Sequence, residues 1–159
     1  MGSLKVGDKA PDFTLPDQNG QLVTLTELLD KNTVVLYFYP KDDSQGCTAE
    51  ACAFRDSYEA FTDAGATVVG VSLDSTDSHK SFATKHRLPF ILLSDVGGKV
   101  STQYDVLKMF GMFRSRETFV IDRQGIIRHQ FSSQINMSKH ATEALDIIKS
   151  MKAAPTPVR

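Results

Sequence analysis

Cys47 and Cys52 are the two cysteines of this 159-residue chain. The thiolate, rather than the thiol, is the nucleophile and the metal ligand. Two cysteines are too few for a disulfide-built scaffold, so the fold must rest on its core. Zinc is not expected, because a structural site takes four sulfur or nitrogen ligands at short spacings. The four histidines, His79, His86, His129 and His140, are scattered without a ligand pairing.

Cys47 follows an apolar run, Thr33–Tyr39, and a polar loop, Lys41–Gly46, and it opens a helical stripe. Unpaired N–H groups and the helix dipole favour an anion at such a position. Helix N-termini can lower a cysteine pKa to about 3.5–7.5. A plain packing role competes evenly, since free cysteines are often simply buried. On an intact helix, five residues separate Cys47 from Cys52 by about 140° and about 7.5 Å of rise. A disulfide needs Cα atoms within about 7 Å, so the pair closes only if the first turns unwind. Taken alone, Cys52 reads as a small packing residue among Ala49, Ala51 and Ala53. Arg114 and Arg116 precede the run Thr118–Ile121, and an arginine there can reach a neighbouring strand–helix junction. Most arginines are nonetheless solvated surface residues.

The elements that must position these groups follow from periodicity. Phe13–Leu15 and Leu22–Thr24 flank Asn19-Gly20, a hairpin signal. Thr33–Tyr39 reads as a strand buried on both faces, ended by Pro40. Cys47, Ala51, Phe54, Tyr58 and Phe61 form one face of a single helix closed by Gly65. A strand over 66–73, a helix over 76–86, a strand over 90–93 and a short helix over 98–104 come next. Thr118–Ile121 and Ile126–Phe131 bracket a second hairpin turn, and Ser138 is the expected N-cap of a last helix carrying Ala141, Ala144, Leu145, Ile148 and Met151. A β-α-β crossover requires a parallel pair and the later hairpin an antiparallel one. The expected fold is therefore α/β and thioredoxin-like, a mixed sheet flanked by helices with an N-terminal β-hairpin extension. Residues 1–152 read as a single domain and 153–159 as a frayed tail.

Composition is globular, with 41% hydrophobic and 23% charged residues. A net charge of -1 argues against nucleic-acid binding through a general basic field. No apolar run approaches the roughly 18 residues that span a bilayer. No membrane partner is expected.

The stretch Phe38–Asp56 resembles the active site of the peroxiredoxins, and more narrowly the peroxiredoxin Q or bacterioferritin comigratory group. The likeness extends to Val6–Leu15, Gly70-Val71-Ser72, Ser94-Asp95 and Arg116–Asp122, nearly the whole chain. By position, the resemblance makes Cys47 the peroxidatic cysteine, Pro40 the proline that shields it, and Arg116 the arginine that holds peroxide and thiolate. Arg114 does not align. Cys52 matches the resolving cysteine found in many members, and Glu50 a residue that helps orient the arginine.

Two positions depart from the family pattern. Ser44 stands for the usual threonine, keeping the hydroxyl and losing a methyl that restrains its rotamer. Gln45 replaces a proline, which makes the loop less stiff. What the resemblance implies is a cycle on hydroperoxides without metal, haem or flavin: a Cys47 sulfenic acid, an intramolecular Cys47–Cys52 disulfide, and recycling by thioredoxin or a related dithiol protein. It also implies a monomer in a reducing compartment, cytoplasmic in a bacterium or, alternatively, a plastid stroma. A thioredoxin-type disulfide reductase would instead carry Cys-x-x-Cys, and a binding module would be indifferent to Cys47→Ser.

Overall fold

A computed structural model describes residues 4–108, 113–114, 116–133 and 136–153. The first hairpin forms as expected: β1 (Thr14–Pro16) pairs antiparallel with β2 (Leu22–Thr24). Gly20 supplies the positive φ of its turn, +79°. A short helix, α1 (Leu25–Leu29), follows and buries Leu25 and Leu29.

A five-stranded mixed sheet, ordered β5-β4-β3-β8-β9, carries the site. Its centre is β3 (Thr33–Phe38), parallel to β4 (Ala66–Ser72), which is parallel in turn to β5 (Ile91–Ser94). A two-stranded ladder of β6 (Leu107–Lys108) and β7 (Phe113–Arg114), not foreseen from the sequence, precedes the second half of the sheet. There β8 (Glu117–Ile121) runs antiparallel to β3, and β9 (Ile127–Ser132) antiparallel to β8. The continuous apolar run of β3 is needed because both faces are covered. Val35, Tyr37 and Tyr39 face one core, and Val34, Leu36 and Phe38 face the other.

The first core is closed by α2 (Gln45–Asp56), α3 (Tyr58–Asp63), α4 (Thr76–His86) and α6 (Met137–Ala153). The second is closed by α1, by α5 (Lys99–Gln103) with Tyr104, and by Ala10 and Phe13. The expected single helix from Cys47 to Gly65 is thus two helices. Ser57, at φ -100° and ψ 5°, breaks it, and its N–H turns to both Ala53 O and Arg55 O. One irregular residue leaves the spacing of Ala51, Phe54 and Phe61 good enough to bury all three, so periodicity does not register it. Ser138 is a second correction. The last helix begins at Met137, and Ser138 uses its carbonyl to accept from Thr142 Oγ1 at 3.1 Å. Of the predicted tail, Ala153 ends α6 and 154–159 lie outside the described residues. Among the described residues no helix is long and apolar enough to cross a membrane.

Candidate active site

The sheet register sets the site. Phe38 of β3 pairs with Glu117 of β8, so Arg116 enters just before β8, where the chain leaving β3 turns toward α2. Cys47 lies in the first turn of α2 and is buried, at 1% exposure. One guanidinium nitrogen joins two partners: Arg116 Nη1 donates to Cys47 Sγ at 3.2 Å and to Glu50 Oε1 at 2.8 Å. Cys47 and Glu50 are three residues apart on one helix face, which lets a single planar fork serve both. A cationic donor on the sulfur stabilises a thiolate over a thiol. Gly46 makes the approach possible, because a Cβ there would stand 3.2 Å from Arg116 Nη2 and 3.5 Å from Met137 Sδ.

The electrostatics are those of charges taken out of water. Burial pushes the Glu50 carboxyl up to about 8, and Arg116 opposes this only in part. Burial acts against the Arg116 charge, yet Glu50 and the Cys47 sulfur more than offset it and raise the guanidinium pKa. Tyr37, stacked on Phe54 with ring centroids 4.5 Å apart, has its hydroxyl raised well above the ordinary range by burial and then by Glu50 and Cys47. Among the described residues three buried side-chain polar atoms have no hydrogen-bond partner: Tyr37 Oη, Glu50 Oε2 and Arg116 Nε. All three belong to residues of this site or its floor.

The remaining residues singled out from the sequence lie nearby with different contacts. Ser44 is the residue preceding α2, but its hydroxyl donates to Lys41 O at 3.0 Å and makes no capping bond. No acidic side chain stands in the first turn of α2 either. The start of this helix therefore lacks two ordinary stabilisers, worth about 1 kcal/mol each. Pro40 is half-buried, just after β3. Cys52 is half-buried and free, as Cys47 is, and both lie within the same intact α2. The side chain of Arg114 lies outside the described residues.

Two buried histidines were not singled out by sequence reasoning. His79 ties the loop before Cys47 to the sheet: Nδ1 meets Asp42 Oδ2 at 2.7 Å and Nε2–H donates to Leu93 O at 2.8 Å. Tyr39 Oη and Ser78 Oγ also donate to Asp42, at 2.6 and 2.8 Å. Asp42, Asp74 and His79 bring potential ligand atoms within 4.8 Å of one another. These atoms are already engaged in hydrogen bonds that fasten the loop, so the cluster reads as a latch. The second histidine, His140 of α6, sits behind Glu50 with Nδ1 3.4 Å from Glu50 Oε2. Each is followed at helical spacing by a buried apolar residue, Phe82 after His79 and Ala144 after His140, and that was the available signal.

Comparison with known proteins identifies the family. The AhpC/TSA family profile matches residues 6–130. A relative described as peroxiredoxin Q, chloroplastic, from Sedum lineare is 49% identical over 147 residues, covering 92% of this chain and 78% of the relative. Peroxidoxin BcpB from Mycobacterium tuberculosis superposes with a TM-score of 0.89 at 40% identity, over 93% of this chain and 98% of the other. The Xanthomonas campestris bacterioferritin comigratory protein, a structure concerned with alkyl peroxide reduction, superposes with a TM-score of 0.81 at 31% identity, over 87% and 91%. The chain belongs to the AhpC/TSA family, in its peroxiredoxin Q group.

Proposed function

We propose that this chain is a thiol peroxidase in which Cys47 reduces hydrogen peroxide and organic hydroperoxides and Cys52 resolves the product. The observation that carries the reading is the Arg116 Nη1 bond to the buried Cys47 sulfur at the start of α2. The Cys47 thiolate attacks the terminal peroxide oxygen, so an S–O bond forms as the O–O bond breaks. The electron pair leaves with the departing oxygen, which takes up a proton and departs as water or alcohol. Arg116 and the uncapped N–H groups of the first α2 turn stabilise the charge developing on the oxygens. Pro40 shields the thiolate. The Ser44 hydroxyl assists once it rotates away from Lys41 O.

Cys47 is then a sulfenic acid. Cys52 attacks its sulfur, water leaves, and an intramolecular disulfide results. In an intact α2 the two side chains diverge by about 140° with about 7.5 Å of rise, so this step requires the helix start to unwind. The missing cap at Ser44 supports that reading. An external dithiol completes the cycle by exchange, and thioredoxin fits the peroxiredoxin Q relationship.

The protein acts as a monomer with one domain over 1–152, in a reducing compartment. That compartment is the cytoplasm of a bacterium; the chloroplastic relatives support a plastid stroma as the second reading. The test is NADPH oxidation coupled through thioredoxin reductase and thioredoxin. Turnover with hydrogen peroxide that disappears in Cys47→Ser, and fails to recycle in Cys52→Ser, is the expected result. Undiminished turnover in Cys47→Ser overturns the reading.

A further inference from the structure

The first turn of α2 carries Cys47 but does not hold itself. It has no capping side chain and no acidic residue, and Thr48 N–H donates to Ser44 O at 2.9 Å as its opening bond. Ser44 O is aimed by a turn over residues 41–44, in which Lys41 O accepts from the Ser44 hydroxyl at 3.0 Å. Asp43 stands in that turn at φ +62°, in the left-handed region, and such a residue persists there when its surroundings fix it.

The fixing groups come from α4 and the strand ends beside it. Asp42 N–H donates to Asp74 Oδ2 at 2.8 Å, Asp42 Oδ1 accepts from Tyr39 Oη at 2.6 Å, and Asp42 Oδ2 accepts from Ser78 Oγ at 2.8 Å. Asp43 Oδ1 meets Lys85 Nζ at 3.3 Å and His86 Nε2 at 3.4 Å, both more exposed contacts at the far end of α4. Arg55 Nη1 donates to His86 O at 2.8 Å, so α4 also holds α2 beyond Cys52.

His79 supplies the charge of this latch. Leu93 O, 2.8 Å from Nε2, is a carbonyl and can only accept, so Nε2 carries a proton. Asp42 Oδ2 lies 2.7 Å from Nδ1 and already takes the Ser78 proton, while Tyr39 gives its own to Oδ1 rather than to Nδ1 at 3.4 Å. The contact therefore needs a second ring proton, on Nδ1. An imidazolium meets a carboxylate with both side chains out of water. Tyr39 and Asp74 are the titratable groups packed beside the pair, and Asp74 Oδ2 is taken by Ser72 Oγ and Asp42 N–H.

We propose that His79 is a positioning residue for Cys47: its charged bond to Asp42 fixes the turn over 41–44, holds the first turns of α2 wound, and sets how readily they open for Cys52 to reach Cys47. The last step rests on the reading of Cys47 and Cys52 as the reacting pair; the first two do not.

The experiment is amide hydrogen exchange on the fully reduced chain, read by NMR for the wild type, His79→Gln and Leu29→Ala. Glutamine keeps a donor for Leu93 O and leaves Asp42 without its charged partner. Exchange at Thr48 to Ala51 should quicken about tenfold in His79→Gln, as for loss of one charge-assisted hydrogen bond. Leu29→Ala empties a site in the second core and lowers global stability, so it should quicken the amides of β3 and leave Thr48 to Ala51 as they are. In an Asp42→Asn background, His79→Gln should add little. Opening also competes with overoxidation, in which a second peroxide forms another S–O bond on the Cys47 sulfenic acid as its O–O bond breaks and water or alcohol leaves. The peroxide dose that converts half of Cys47 to sulfinic acid during turnover should rise about tenfold in His79→Gln.

Thr48 to Ala51 unchanged by His79→Gln, exchanging as slowly as β3 in the wild type, or quickened additively with Asp42→Asn, overturns the proposal in favour of a purely structural histidine. If His79→Gln does not fold, Ser78→Ala removes another α4 donor to Asp42 and should quicken the same amides about threefold; no change there overturns it. Quickened exchange with an unmoved sulfinic dose overturns the control of the Cys52 step. If Cys47→Ser abolishes peroxide reduction while exchange is unmoved, the inference about His79 falls and the peroxidase reading stands. Peroxide reduction surviving Cys47→Ser overturns that reading and the Cys52 step with it.

Discussion

Glu50→Gln should stabilise the reduced protein, and by an amount that grows with pH. Glu50 is 0% exposed, and its carboxyl titrates near 8 in the fold against an ordinary 4.5. Between those values the folded chain holds a proton that the unfolded chain has released. Stability therefore falls as pH rises through this window, with a slope of about 1.4 kcal/mol per pH unit for one proton. Below the window both states are protonated and the contribution is whole; above it both are ionised and the loss is complete. Glutamine does not titrate and lacks the slope.

The gap between the two proteins should be small at pH 5 and reach about 4 kcal/mol at pH 8, before relaxation of the site reduces it. The Arg116–Glu50 bond pulls the other way, but desolvation of a buried pair can exceed its Coulombic gain. His140 titrates in both proteins and largely cancels. Urea unfolding of the fully reduced proteins at pH 5, 6, 7 and 8 measures the gap. A gap that is constant, or that turns in favour of glutamate as pH rises, would show that Glu50 is an ordinary ionised partner of Arg116 and refute the reasoning.

Gly46→Ala should slow hydrogen peroxide reduction about tenfold in stopped-flow assays. The new Cβ would meet Arg116 Nη2 at 3.2 Å, while helix propensity offsets about 1 kcal/mol of the crowding, so stability should change little. An unchanged rate would contradict the close fit. Gly70→Ala places a Cβ 2.9 Å from Tyr37 Cζ and 3.0 Å from Leu92 Cδ2, and should cost about 1–3 kcal/mol in urea unfolding. Asp42→Asn removes the anion that accepts from Tyr39 and Ser78 and meets His79, and should cost about 3 kcal/mol near neutral pH. Burial works against the Asp42 charge, but hydrogen bonds from His79 and Tyr39 hold its carboxyl below the ordinary 3.8. That stability is present above the ordinary value and lost as pH falls through the lower one, so the Asp42→Asn gap should close in acid.

The fold was legible where pattern and environment coincide. The uninterrupted apolar run of β3 marked a strand covered on both faces, and the Asn19-Gly20 turn marked the first hairpin. The break at Ser57 left the burial pattern of α2 and α3 in phase, so spacing could not reveal it. At the site, Cys47 could be argued from its place after a strand and loop, and Arg116 from its place before β8. The resemblance to the peroxiredoxins singled out both. What was not legible is convergence over long sequence separations. Arg116 meets Cys47 across 69 residues and His79 meets Asp42 across 37, and no local pattern encodes either. His140 looks like one more residue beside the apolar face of α6 until the sheet brings Glu50 behind it.

The most direct test of the account is a thiol count after one equivalent of hydrogen peroxide is added to the fully reduced protein, beside Cys47→Ser and Cys52→Ser. The account predicts loss of both thiols within seconds in the wild type, loss of none in Cys47→Ser, and a trapped sulfenic acid in Cys52→Ser. Slow, equal loss in all three would mean that Arg116 and the α2 terminus do not activate Cys47, and the peroxidase assignment would fall.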